Sequence, residues 1–146
     1  MKTIRKQIAI DAPKENVWTV LLDDNYTTEW YAIFSEGTTA KSDWIEGHRI
    51  EFSDNSNNGI FGKIARKKPY EKLSFVYEGF IMNGIEDTES PMAKAYIGSE
   101  ETYRLTEEDG KTVLSVSCDM DESMYDEMSS KWEAALQRIS ELAAAV

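Results

Sequence analysis

A chain of 146 residues sits near the commonest size for one domain, and a content of 41% hydrophobic and 11% aromatic residues is globular rather than disordered. Sixteen Lys and Arg against 27 Asp and Glu leave a formal charge of −11, which repels phosphate backbones and anionic headgroups, so neither nucleic acid nor a membrane is expected as partner. No apolar leader follows Met1, no stretch is long enough to cross a bilayer, and the one cysteine, Cys118, excludes an internal disulfide; the expectation is a single cytoplasmic domain over residues 1–146.

The opening segment alternates, with Ile4, Ile8 and Ile10 on one side and Arg5, Gln7 and Ala9 on the other, as a half-buried strand does. Asp11-Ala-Pro13 signals a helix start, since Pro is tolerated in a first turn and Glu15 suits the dipole there; Val17, Trp18, Val20, Leu21 and Leu22 form its apolar face. A second short helix is expected from Thr28 to Phe34, ended by Gly37.

From Gly37 to about Asp119 the signals are strands and turns. Ile50 and Phe52 alternate with Arg49 and Glu51; Ile60, Gly62 and Ile64 with Phe61 and Lys63; Leu73, Phe75 and Tyr77 with Ser74 and Val76. Asp54–Gly59 and Lys67–Tyr70 read as the turns between them, the second carrying Pro69, which has no place inside a central strand. Gly79 to Ser99 shows no periodicity and reads as a long loop with frayed strand ends, of a length that is usually functional. Glu101, Tyr103 and Leu105 share a face, Glu107–Gly110 makes a turn, and Leu114, Val116 and Cys118 return on the apolar side. Met124, Met128, Trp132, Ala135, Leu136, Ile139 and Leu142 then recur at spacings of three and four, one stripe of a helix from about Ser123 to Ala144 with Ser123 as N-cap.

A strand, two short helices, a run of antiparallel strands and a long terminal helix make an α+β order that resembles the helix-grip fold of START-like (SRPBCC) proteins. The local words Ile8-Ala-Ile-Asp-Ala-Pro-Lys-Glu-Asn-Val-Trp18, Trp44-Ile-Glu-Gly47, Gly59-Ile-Phe-Gly62 and Asp109-Gly-Lys-Thr-Val-Leu114 resemble the same superfamily, and within it the branch related to the C-terminal domain of the activator of heat-shock-protein-90 ATPase. The resemblance covers nearly the whole chain. It implies a curved sheet wrapped around the last helix, with an apolar or amphipathic small molecule as ligand in the space between them, or a chaperone as partner, or an enzyme of the cyclase or dehydratase kind. No cofactor or metal is implied.

The residue types suit such a cavity. Phe52, Ile64, Phe75, Tyr77 and Tyr103 fall on apolar strand faces and Met128 and Trp132 on the facing helix stripe, while Trp30 and Phe34, with Tyr31, lie on the second short helix as one rim. Glu101 shares the inward phase of Tyr103, a phase that would partly desolvate its carboxyl and raise its pKa, as a general acid or a ligand acceptor needs; strand ends are usually solvated, however, and the solvated carboxyl is the expected one. The one histidine, His48, excludes paired imidazoles and reads as a solvated strand-end residue, and Cys118 as a buried neutral thiol. Asp54–Gly59 matches the first half of a calcium loop, but its twelfth position is Ala65 instead of Glu, so a polar hairpin turn is the better account.

Overall fold

Alternation at the N-terminus becomes strand β1 (Lys2–Ile10), whose Ile4 and Ile10 are fully buried in the computed structural model, which describes all of Met1–Val146. Pro13 adopts extended backbone just before α1 (Lys14–Leu22) rather than sitting inside the first turn. The second helix, α2 (Asp24–Tyr31), starts earlier than its apolar residues suggest, because the Asp23 side chain accepts from the Asn25 amide and opens it. It also ends earlier, leaving Phe34 in the following turn.

The strands that follow are β2 (Thr39–Lys41), β3 (Arg49–Ser53), β4 (Gly59–Lys68), β5 (Lys72–Met82), β6 (Ile85–Asp87), β7 (Glu100–Glu108) and β8 (Lys111–Met120). They form one antiparallel sheet in the order β1-β8-β7-β5-β4-β3-β2, with β6 beside the far half of β5. Asp109 and Gly110, both at positive φ, make the tight β7–β8 hairpin and so set Glu101 directly opposite Cys118.

Two expectations are corrected here. Gly79–Ser99 is not a long loop: β5 runs on to Met82, β6 pairs with it, and a short helix α3 (Pro91–Tyr96) follows, capped by the Ser90 side chain with Pro91 in its first turn. Pairing and capping, unlike burial of a wide apolar face, leave little periodicity to read. The second correction concerns Phe61, placed by alternation on the polar side of β4. It is buried on that side, beneath the Arg49 guanidinium at 4.3 Å and over Gly79, whose missing side chain makes the room.

A 3₁₀ turn (Glu122–Met124) capped by Asp121 leads into α4 (Tyr125–Ala145), so Ser123 lies in that turn and is not the helix N-cap. The stripe splits in two. Trp132, Ala135, Leu136, Ile139 and Leu142 are buried, and this half of α4 closes on β1 and α1 in a core of 28 residues. Met124 is exposed and Met128 only half-buried, because the first turns of α4 stand away from the sheet. The Lys131 ammonium donates to the Phe34 carbonyl at 3.1 Å and Arg138 to Glu29 at 2.6 Å, tying α4 to the α2 region above that gap.

Candidate functional site

Between the raised start of α4 and the concave face of the sheet lies a cavity of about 490 Å³, within the usual range for small-molecule sites. Its floor is set where the helix touches down. Trp132 meets Tyr103 edge-on at 6.0 Å and Trp30 at 6.3 Å between ring centroids, and Trp30 is pinned by its indole N–H donating to the Val20 carbonyl at 2.9 Å. Past these rings the interior is dry core; before them it is open.

The walls follow from one irregularity. The β4–β5 pairing shifts register between Phe61 and Gly62, so Gly62 faces Tyr77 while Ile60 faces Phe80. Tyr77 and Phe80, three residues apart, therefore line the same cavity, which unbroken alternation forbids. Tyr96 closes the far side: its ring lies 5.1 Å from Phe80, its hydroxyl donates to the Met120 sulfur, and it accepts from the Asp121 amide at 2.9 Å. Met92 and Met124, both exposed, stand at the mouth.

Eight of the ten residues expected to contact a ligand line this cavity: Trp30, Phe34, Phe52, Tyr77, Glu101, Tyr103, Met128 and Trp132. Ile64 and Phe75 do not. Phe75 shares the right face, but Phe52 (5.4 Å) and Tyr103 (6.1 Å) lean over its ring, and with Ile64 it lies in the dry core beyond the cavity wall. Sequence reading missed Phe80, hidden by the register shift, and Met92 and Tyr96, which lie on the unread helix α3.

Polar chemistry concentrates on Glu101. The hydroxyls of Tyr77 and Tyr103 donate to its two carboxyl oxygens, the first at 3.0 Å, and the Cys118 thiol lies 3.5 Å from the oxygen that Tyr77 holds. Burial raises the Glu101 pKa above its ordinary value of 4.5, and the bonds from Tyr103, Tyr77 and Cys118 oppose that rise without cancelling it. Burial first, and then the nearby Glu101 charge, push Tyr77, Tyr103 and Cys118 well above their own ordinary values, so all three stay protonated donors. The Trp132 indole N–H, on a side chain 2% exposed, has no hydrogen-bond partner within the protein.

A carboxyl whose pKa is raised by folding contributes stability that is fully present below its unfolded value and is lost as pH rises through its folded value. Glu101→Gln removes that loss while keeping shape and an acceptor oxygen. The difference in melting temperature between variant and wild type should therefore move in the variant's favour as pH increases from 4 to 8. The acids with lowered pKa, such as Asp43 and Asp54, are common to both proteins and cancel. A difference independent of pH, or one running the other way, would show that Glu101 is ionised at no cost.

The other sites considered from sequence take no part in the Glu101 cluster. His48 is exposed, its Nδ1 2.6 Å from Asp43, outside the cavity wall. Asp54 is occupied by the Ser56 and Asn58 amides and the Ser35 hydroxyl, the bonding of a hairpin turn.

An antiparallel sheet gripping a long C-terminal helix around an apolar cavity, with two short helices after the first strand, defines a START-like (SRPBCC) domain of helix-grip type. The model of the family described as "Activator of Hsp90 ATPase homolog 1-like protein" matches residues 11–144, and the chain belongs to that family. Among solved structures, protein MLL2253 from Mesorhizobium loti is 17% identical with a TM-score of 0.78, the alignment covering 99% of this chain and 98% of that one. The Aha1 dimer from Colwellia psychrerythraea is 17% identical at TM-score 0.73, covering 97% and 95%. CalU16 from Micromonospora echinospora is 25% identical at TM-score 0.67, covering 97% of this chain and 75% of that one. No curated protein matches the sequence. No helix is long and apolar enough to cross a membrane.

Proposed function

We propose that this protein binds an apolar or amphipathic small molecule, without transforming it, in the cavity between the sheet and the start of α4. The observation that carries the reading is an open interior of about 490 Å³ whose 22 lining residues include 15 hydrophobic ones and a single carboxyl at the floor. A ligand that gives up ~300 Å² of apolar surface there gains roughly 7 kcal/mol before the costs of immobilisation, enough for useful affinity. Tyr77, Tyr103, Glu101 and Trp132 would orient its polar end. The flexible side chains of Met92, Met120, Met124 and Met128 suit a mouth that admits more than one shape.

The neutral fluorophore N-phenyl-1-naphthylamine tests this directly. Saturable one-to-one binding is expected, with a negative heat-capacity change. Ile60→Trp, which fills the cavity from β4, should weaken it at least tenfold at an unchanged melting temperature. No saturable binding, or binding that Ile60→Trp leaves intact, would remove the basis for the reading.

Two further readings remain distinct. A chaperone partner, the function named for the family, would act through an exposed apolar surface and has no use for an open interior; the cavity favours the small molecule. An acid-catalysed reaction, such as a cyclisation or dehydration, is favoured by the buried Glu101 carboxyl with its raised pKa. A ligand recovered from the protein with altered mass would mark that case.

A further inference from the structure

The cavity has one sign of charge. Asp54, Glu101 and Asp119 line it and no Lys, Arg or His does; the nearby Lys131 points instead to the Phe34 carbonyl and to Glu127. Glu101 at the floor is surrounded by neutral donors only. Tyr77 from β5, Tyr103 from β7 and Cys118 from β8 share its oxygens, and Tyr31 from α2 lines the same cavity. A carboxylate moved out of water with no cation beside it is costly, and three neutral hydrogen bonds lower that cost only in part. Nine of the 22 lining residues are aromatic, and their faces carry the negative quadrupole that attracts cations. The chain's charge of −11 extends the same field outward. An anionic amphiphile such as a fatty acid would meet like charge at the mouth and at the floor; a neutral hydrocarbon would leave the Glu101 carboxylate and the buried Trp132 N–H without complement.

We propose that the ligand of this cavity is an apolar molecule bearing a basic amine, whose ammonium group rests on the Glu101 carboxylate among the aromatic faces while its hydrocarbon part points toward the methionine mouth. This rests on the small-molecule reading above and adds the charge of the ligand to it. Two forces hold the ammonium: a charge-assisted hydrogen bond to Glu101, and cation–π contact with rings such as Trp30 and Trp132, each of which sits edge to face with Tyr103 at the floor. The buried Trp132 N–H, without a hydrogen-bond partner inside the protein, suits an acceptor atom next to the amine.

The test compares three probes of equal length, decylamine, decan-1-ol and decanoate, by displacement of N-phenyl-1-naphthylamine at pH 7 and physiological salt, where contacts to surface carboxylates are screened. Decylamine should bind about tenfold or more tightly than decan-1-ol, and decanoate most weakly. In Glu101→Gln the amine should lose its advantage and fall to the level of the alcohol measured on the same variant. Equal binding of amine and alcohol to the wild type, stronger binding of decanoate, or an amine preference that survives Glu101→Gln would overturn the assignment while leaving apolar binding intact. If the fluorophore and all three probes fail to bind, the small-molecule reading falls with it. The wild-type ranking decides the matter even if the variant folds poorly.

Discussion

Trp30→Ala should cost about 3–5 kcal/mol of folding stability, a large share of the ~5–15 kcal/mol available to a domain of this size. Trp30 is 2% exposed and belongs to three structures at once. It anchors α2 through the Val20 carbonyl, packs edge-on against Tyr31 at 4.5 Å, and meets Tyr103 and Trp132 where sheet and terminal helix touch. Removing it deletes the transfer energy of a large ring, leaves a carbonyl without its donor and opens the floor of the cavity into the core beneath. The surrounding rings cannot collapse into the gap without losing their own contacts, so little relaxation is expected. Trp30→Phe keeps most of the ring and loses the hydrogen bond, and should cost clearly less. Urea unfolding at constant slope measures both; a loss below about 1 kcal/mol for the alanine variant would mean that α2, and not the sheet–helix contact, is all that Trp30 supports.

Gly59→Ala should destabilise the protein by about 1–3 kcal/mol, opposite in sign to the common effect of replacing glycine with alanine at an unstrained site. A side-chain carbon at position 59 would lie 1.7 Å from the Phe52 carbonyl oxygen and 2.9 Å from the Ser53 α-carbon. Those are backbone atoms of the paired strand, so no rotamer change relieves the overlap; β3 and β4 must separate where they form the cavity wall. Gly59 pairs with Ser53 on one side and Ile81 on the other, so the displacement reaches both neighbours. A stabilised Gly59→Ala variant would show that the hairpin end is loose enough to yield. Fluorophore affinity should fall with the stability, because Ile60 and Phe52 move with the strand.

Elements with a repeating apolar face were legible in advance. The first strand, the β7–β8 hairpin and the buried half of α4 follow directly from alternation or from spacings of three and four. So was the inward phase of Glu101, which shares the face of Tyr103. Its contact with Cys118 was within reach as well, since a two-residue turn at Asp109-Gly110 counts back to that pair. The helix α3 and strand β6 were not, because a six-residue helix held by Ser90 and Tyr96 and a three-residue strand held by backbone pairing show too few side chains for a period.

Periodicity in the amino-acid order was sufficient for most of the elements, because each buries one face, while the way they pack into a helix-grip fold came from the resemblance to START-like proteins. Periodicity was sufficient too for which strand and helix faces turn inward, and so for six of the cavity's residues, Phe52, Tyr77, Glu101, Tyr103, Met128 and Trp132. Whether those faces meet or stand apart was decided only in three dimensions. Trp30, Tyr103 and Trp132 act as spacers of fixed size, and the β4–β5 register shift rotates Phe80 inward; neither the separation of two surfaces nor a shift between distant strands is a local property of the chain. The same holds for the charge of the site: 27 acids and 16 bases are visible in the composition, but the placement of Glu101 beyond reach of every base depends on how the sheet curves around it.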